Sequence, residues 1–207
     1  MNRSTFLRSH VSRVRLAAAA VSVVAISAAL ACGNSDVTAP LSQPSRVTDA
    51  VNDFIPTYTG PKGADLDVVS NESSFDGSTF SFAGTMNGAI GTTPIGVYVW
   101  GVDRGVGTAR FGDIATGVHF DAVVIARPDG TGSVRDFTTN VVTPLPTGSI
   151  VISGNSLTVR VPAAMLPPQG FSLARYTVAF WPRSGLANNE QIADFSPDNG
   201  NAPLTVR

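Results

Sequence analysis

Residues 149–162 read SIVISGNSLTVRVP. Gly154-Asn155 joins two apolar, β-branched runs, and Leu157, Val159 and Val161 alternate with polar neighbours. A period of two on either side of a tight Gly-Asn break predicts a β-hairpin with one buried face. The same grammar extends outward in both directions. TFSFAGTM (79–86) puts Phe80, Phe82 and Met86 on one face with Gly84 between them, while PIGVYVWGV (94–102) is apolar on both faces, as a strand covered on two sides requires. GVHFDAVVIARP (117–128) behaves similarly and runs into the turn composition PDGTGS, and RYTVAFWPR (175–183) closes the set. AAMLP after Pro162 is long enough for a helical turn only. Seven to nine short strands without a ten-residue helical segment predict an all-β fold, an antiparallel β-sandwich of jelly-roll or immunoglobulin-like type, with a small closed barrel as the alternative.

Upstream of this pattern the chain changes character. The first fifteen residues carry Arg3, Arg8, Arg13 and Arg15 and no acid, and Leu16 to Ala31 carry no charge. A basic segment followed by an apolar run too short and too interrupted to span a bilayer is the pattern of a signal peptide, here residues 1–31. Ala29 and Ala31 satisfy the small-x-small cleavage rule, and Leu30-Ala31-Cys32-Gly33 resembles the lipobox of bacterial lipoproteins. That resemblance implies a lipid on Cys32, the only cysteine in the chain, with acyl chains that hold the protein to a membrane. An odd thiol in a secreted protein is the competing reading. Residues 32–47, rich in Ser, Pro, Gly and Asn, form the lipidated tether, and 48–207 the sandwich domain. The expected address is outside the cytoplasm, lipid-anchored in the cell envelope at the outer membrane.

Charge narrows the partners. Of 14 basic residues four arginines lie in the signal and none of the 15 acids do, so the mature chain carries 10 against 15, a net charge of −5. Its single lysine, Lys62, and nine scattered arginines make no basic stripe, which argues against nucleic acid as a partner. The membrane, through the lipid on Cys32, and an envelope protein or glycan remain.

Few side chains suit catalysis. His119 is the one histidine after the signal, and the glutamates are Glu72 and Glu190 alone, so nucleophile–base sets and paired glycosidase carboxylates have little to draw on. The glycine-rich loop 101–117 precedes no helix that would receive a pyrophosphate. DFSPDNGN (194–201) gathers Asp194, Asp198, Asn199 and Asn201, hard oxygen donors of the kind calcium takes, although a turn needs the same residues. Trp100 and Trp181 would make a sugar-stacking platform if exposed and core if not.

Five stretches, DFIPTYTGPKGADLDVV, YVWGVDRGVGTARFG, FDAVVIARPDGTGSV, ISGNSLTVRVPAAMLPPQGF and QIADFSPDNGNAPLTV, together resemble a group of exported bacterial proteins that often end in a PEP-CTERM sorting tail. The resemblance spans nearly all of residues 49–206. No such tail precedes Arg207, and the lipidated cysteine is expected in its place. The resemblance implies the fold and the address and supplies no catalytic residues. The expected function is a non-catalytic interaction or structural module without a cofactor other than calcium; a carbohydrate-binding module, with calcium, is the alternative, and a hydrolase the third reading.

Overall fold

Residues 46–207 are described by a computed structural model; the signal peptide, Cys32 and the tether through residue 45 lie outside the described residues. The strands are β1 (Arg46–Thr48), β2 (Val68–Phe75), β3 (Thr79–Met86), β4 (Val97–Asp103), β5 (Thr108–Ala109), β6 (His119–Phe120) and β7 (Ala122–Ala126) in the first half. They continue as β8 (Gly132–Asp136), β9 (Val142–Pro144), β10 (Ile150–Ser153), β11 (Ser156–Pro162), β12 (Thr177–Arg183), β13 (Ala202–Pro203) and β14 (Thr205–Val206). One six-stranded sheet runs β1-β2-β3-β11-β10, with β14 lying parallel to the far half of β2. The other runs β13-β12-β4-β7-β8-β9 and is antiparallel throughout, while β5 and β6 form a small separate ribbon. The all-β expectation therefore holds. Strands of two or three residues, such as β1, β13 and β14, were beyond reach of the sequence pattern because so few residues cannot display a period. β1 starts at Arg46, inside the stretch read as tether.

The two sheets share one core. β3 alternates as expected, with Phe80, Phe82 and Met86 buried, and Leu157, Val159 and Val161 of β11 continue that face. Opposite them stand Tyr98, Trp100 and Val102 of β4, Val124 of β7 and Phe180 of β12. Trp100 is stacked on Phe180 at 4.5 Å between ring centres and tilted on Phe82 at 6.2 Å. Gly84 permits this approach, since a Cβ there would stand 2.8 Å from the Phe180 ring.

The second sheet is apolar on its other face too. Val97, Val99, Val123, Ala179 and Trp181 point away from the first core and pack under Phe111, Val118, Phe120, Ile192 and Phe195. These come from the 104–121 connection and the 184–197 segment, so the loops form a third layer. Gly101 makes room for the Trp181 ring, whose nearest atom would stand 2.5 Å from an added Cβ. Loops laid over a sheet bring polar groups inside, and these must be paired. Arg104, wholly buried at the end of β4, pairs with Asp121 beside β6 and lies 2.9 Å from Asp136 at the end of β8. Asp121 also accepts the Arg104 N–H at 3.0 Å and the Val106 N–H at 3.3 Å. The Arg104 guanidinium thus ties the loop layer to the sheet beneath.

Breaking a buried ion pair from one side leaves an uncompensated charge. Arg104→Met is expected to lower the unfolding free energy by about 3–5 kcal/mol, read from urea midpoints; a loss under about 1 kcal/mol would show that the triad carries little of the loop packing.

Candidate functional site

Where residues 192–196 meet the start of β2, polar side chains cross beside a small apolar cluster of Tyr58, Leu66 and Ala193. Residues 192–196 run beside β12, with bridges at Phe180 to Ser196 and Arg183 to Ile192. From this segment the fully buried Asp194 accepts the Val68 N–H of β2 at 2.7 Å through Oδ2 and the Phe195 N–H at 2.8 Å through Oδ1. In return Asn71 of β2 donates Nδ2 to the Ser196 carbonyl at 2.7 Å and to its hydroxyl at 2.8 Å. Asp67, just before β2, accepts the Asn52 N–H at 2.9 Å and the Asn87 side-chain amide at 2.8 Å. Asp49 and Asp53 arrive from the segment that follows β1, where the Asp49 N–H donates to the Val69 carbonyl.

Five carboxylates converge here. Asp49, Asp194 and Asp198 form one trio, and Asp53, Asp67 and Asp194 a second that shares Asp194; within each, one oxygen per residue lies within 4.8 Å of the others. Calcium binds oxygens at 2.3–2.6 Å, so ligands on one ion stand up to about 5 Å apart. None of the five makes an ion pair among the described residues. The Asp49 Oδ2 is buried with no hydrogen-bond partner. Burial first, then Asp198 and Asp53, push the Asp49 carboxyl up to about 7. Burial also dominates at Asp194, with Asp49 and Asp53 adding to it against the Val68 N–H, and raises that carboxyl to about 8. Asp53 is raised as well, by burial and by Asp198 and Asp67. Carboxyls in this state hold protons at neutral pH or wait for a cation.

The four donors expected from the 194–201 loop part company. Asp194 and Asp198 join the cluster, whereas Asn199 is exposed on the turn. Asn201 clamps a different element: its Oδ1 accepts the His119 N–H at 3.0 Å and its Nδ2 donates to the His119 carbonyl at 2.7 Å. Sequence reasoning missed Asp49, Asp53 and Asp67. The available signal, for Asp67 alone, was ADLDVV (64–69), where two acids sit inside an apolar strand start; Asp65 and Asp67 are both buried with it.

The sugar platform needs correction. Trp100 is 0% and Trp181 1% exposed, each locked in an aromatic cluster, because both lie on a sheet buried on both faces. A cleft of about 420 Å³ does open on the first sheet beside Ser74, Thr79, Ser81 and Arg160, but no aromatic ring lines it. His119 is exposed, and its neighbour Asp121 is held by Arg104. Among the described residues no helix is long and apolar enough to cross a membrane. No family model matches the chain, and no curated protein shows significant similarity to it.

A carboxyl whose pKa is raised by folding binds more protons folded than unfolded, so it stabilises below its unfolded pKa and loses that contribution as pH climbs through the folded value. With divalent cations chelated, the melting temperature is expected to fall as pH rises from 5 to 8, through the values near 7 and 8 at Asp49 and Asp194. A flat or rising profile over that window would contradict the coupling.

Proposed function

We propose that the chain is a lipid-anchored, extracytoplasmic β-sandwich that serves the bacterial envelope as a non-catalytic interaction or structural module. A calcium ion at the Asp49/Asp53/Asp67/Asp194/Asp198 cluster locks the point where its tether enters the fold. The observation that carries the calcium reading is the buried, unpartnered Asp49 oxygen within a carboxylate cluster that has no cation of its own. Extracellular calcium modules bind at about 10⁻⁴–10⁻³ M, a range suited to an envelope protein. One ion there would bridge three segments: the residues just after the tether, the start of β2, and the loop after the 192–196 segment.

The immunoglobulin-like variant of the sandwich is favoured by strand order. β2-β3-β11-β10 corresponds to an A-B-E-D sheet, and β13-β12-β4-β7-β8 to G-F-C-C′-C″, the variable-domain arrangement. Trp100 on β4 occupies the place of the buried tryptophan of strand C, packed between Phe82 and Phe180 where antibody domains carry a disulfide. Tyr176, just before β12, donates its hydroxyl to the Leu166 carbonyl at 3.0 Å, a tyrosine corner. The non-catalytic reading is supported by the use the fold makes of its acids: Asp65 accepts the Thr93 N–H, Asp121 holds Arg104, and Asp194 holds Val68.

Two outcomes follow. Calcium at 10 mM is expected to raise the melting temperature by ~5 °C by mass action, and Asp49→Asn to remove that shift; an unchanged melting temperature in the parent protein refutes the ion. Cys32→Ser is expected to convert a detergent-partitioning protein into a soluble exported one, whereas a wild type that stays aqueous and labels with maleimide refutes the anchor.

A further inference from the structure

The outer face of the second sheet is incompletely roofed by the loop layer. A groove of about 280 Å³ remains, with Phe111, Phe120, Phe137 and Trp181 among its walls and Arg110, Arg135 and Arg183 around it. Its position on β4, β7 and β12 places it apart from the acidic cluster, and different residues form it.

None of the three guanidiniums makes an ion pair among the described residues, as is also true of Arg127, Arg160, Arg175 and Arg207; what sets the three apart is that they share one groove. Arg110 lies 4.3 Å and Arg135 4.9 Å from the centre of one ring, Phe137, and the Arg110 Nε donates to the Phe120 carbonyl at 3.3 Å. Arg183 donates to the Asn188 carbonyl, yet its Nε is buried without a partner, and burial lowers its pKa. Trp181, 1% exposed, adds a second buried donor, its indole N–H, also unpartnered. The groups a ligand can reach are Arg110 and Arg135, which are exposed and whose guanidiniums no carboxylate among the described residues pairs with.

We propose that this groove binds a small aromatic carboxylate, its ring against the phenylalanines and Trp181 and its carboxylate on the arginines. Planar guanidinium forks pair with carboxylates in two parallel hydrogen bonds, the geometry such a ligand would use here. The aromatic walls favour a flat apolar body over an aliphatic or sugar one. A volume near the lower end of small-molecule sites suits one or two fused rings and excludes a lipid or an oligosaccharide.

Calorimetric titration of the purified protein with 2-naphthoate and with the neutral 2-naphthamide tests this. Naphthoate is expected to bind one to one with Kd under ~1 mM and at least ~10-fold more tightly than the amide, the charge-assisted bonds making the difference. Arg110→Gln and Arg135→Gln, both at exposed positions, should each weaken naphthoate by ~5-fold or more while the melting temperature holds within ~2 °C. Equal affinity for acid and amide, no saturable binding by 5 mM naphthoate, or affinity indifferent to both substitutions would each overturn the assignment.

Discussion

The second sheet must be buried on both faces, and the rest of the molecule answers to that constraint. β4 sends Tyr98, Trp100 and Val102 one way and Val97 and Val99 the other, and β12 does the same with Phe180 and Trp181. One face is covered by the first sheet. The other has no long helix to cover it among the described residues, so the short β5-β6 ribbon and otherwise irregular chain are recruited from 104–121 and 184–197. Irregular chain carries unpaired backbone groups and polar side chains into the interior. Arg104 with Asp121, and Asp194 with the Val68 N–H, are the local solutions to that problem.

The two solutions differ in charge balance. Around Arg104 a guanidinium faces two carboxylates, and Asp136 is held below the usual carboxylate range: burial raises it, but bonds from Thr138 and Arg104 outweigh that. At the sheet edge carboxylates face one another, backbone donors and the Asn87 amide, with no guanidinium or ammonium paired to them among the described residues, and two of them are pushed to about 7 and about 8. An edge built this way is held by protons at low pH and loses that contribution as its carboxyls ionise at higher pH. Under the proposed calcium reading, an ion there would join the segment after β1 to the start of β2 and to the loop after residues 192–196.

The architecture was legible in the sequence wherever a strand is long enough to alternate. TFSFAGTM and SLTVRVP declare their buried faces outright, and PIGVYVWGV declares two. Strands of two or three residues carry no period, and their pairing is decided by neighbours far away in sequence, as with β14 along β2. The site was half legible for the same reason. Asp194 and Asp198 stand in one visible cluster, but Asp49, Asp53 and Asp67 reach it only through tertiary folding. Trp100 and Trp181 show the opposite failure: aromatic type alone cannot separate platform from core, and two-sided apolarity of their strands was the better guide.

The account stands or falls on whether a divalent cation displaces protons from the sheet edge. Titrating calcium into chelator-treated protein at pH 7, in two buffers of different ionisation enthalpy, counts protons released per ion bound. With Asp194 near 8 and Asp49 near 7 before the ion arrives, roughly one to one and a half protons should leave for each calcium. Calcium that binds without displacing a proton, or does not bind, would contradict the account.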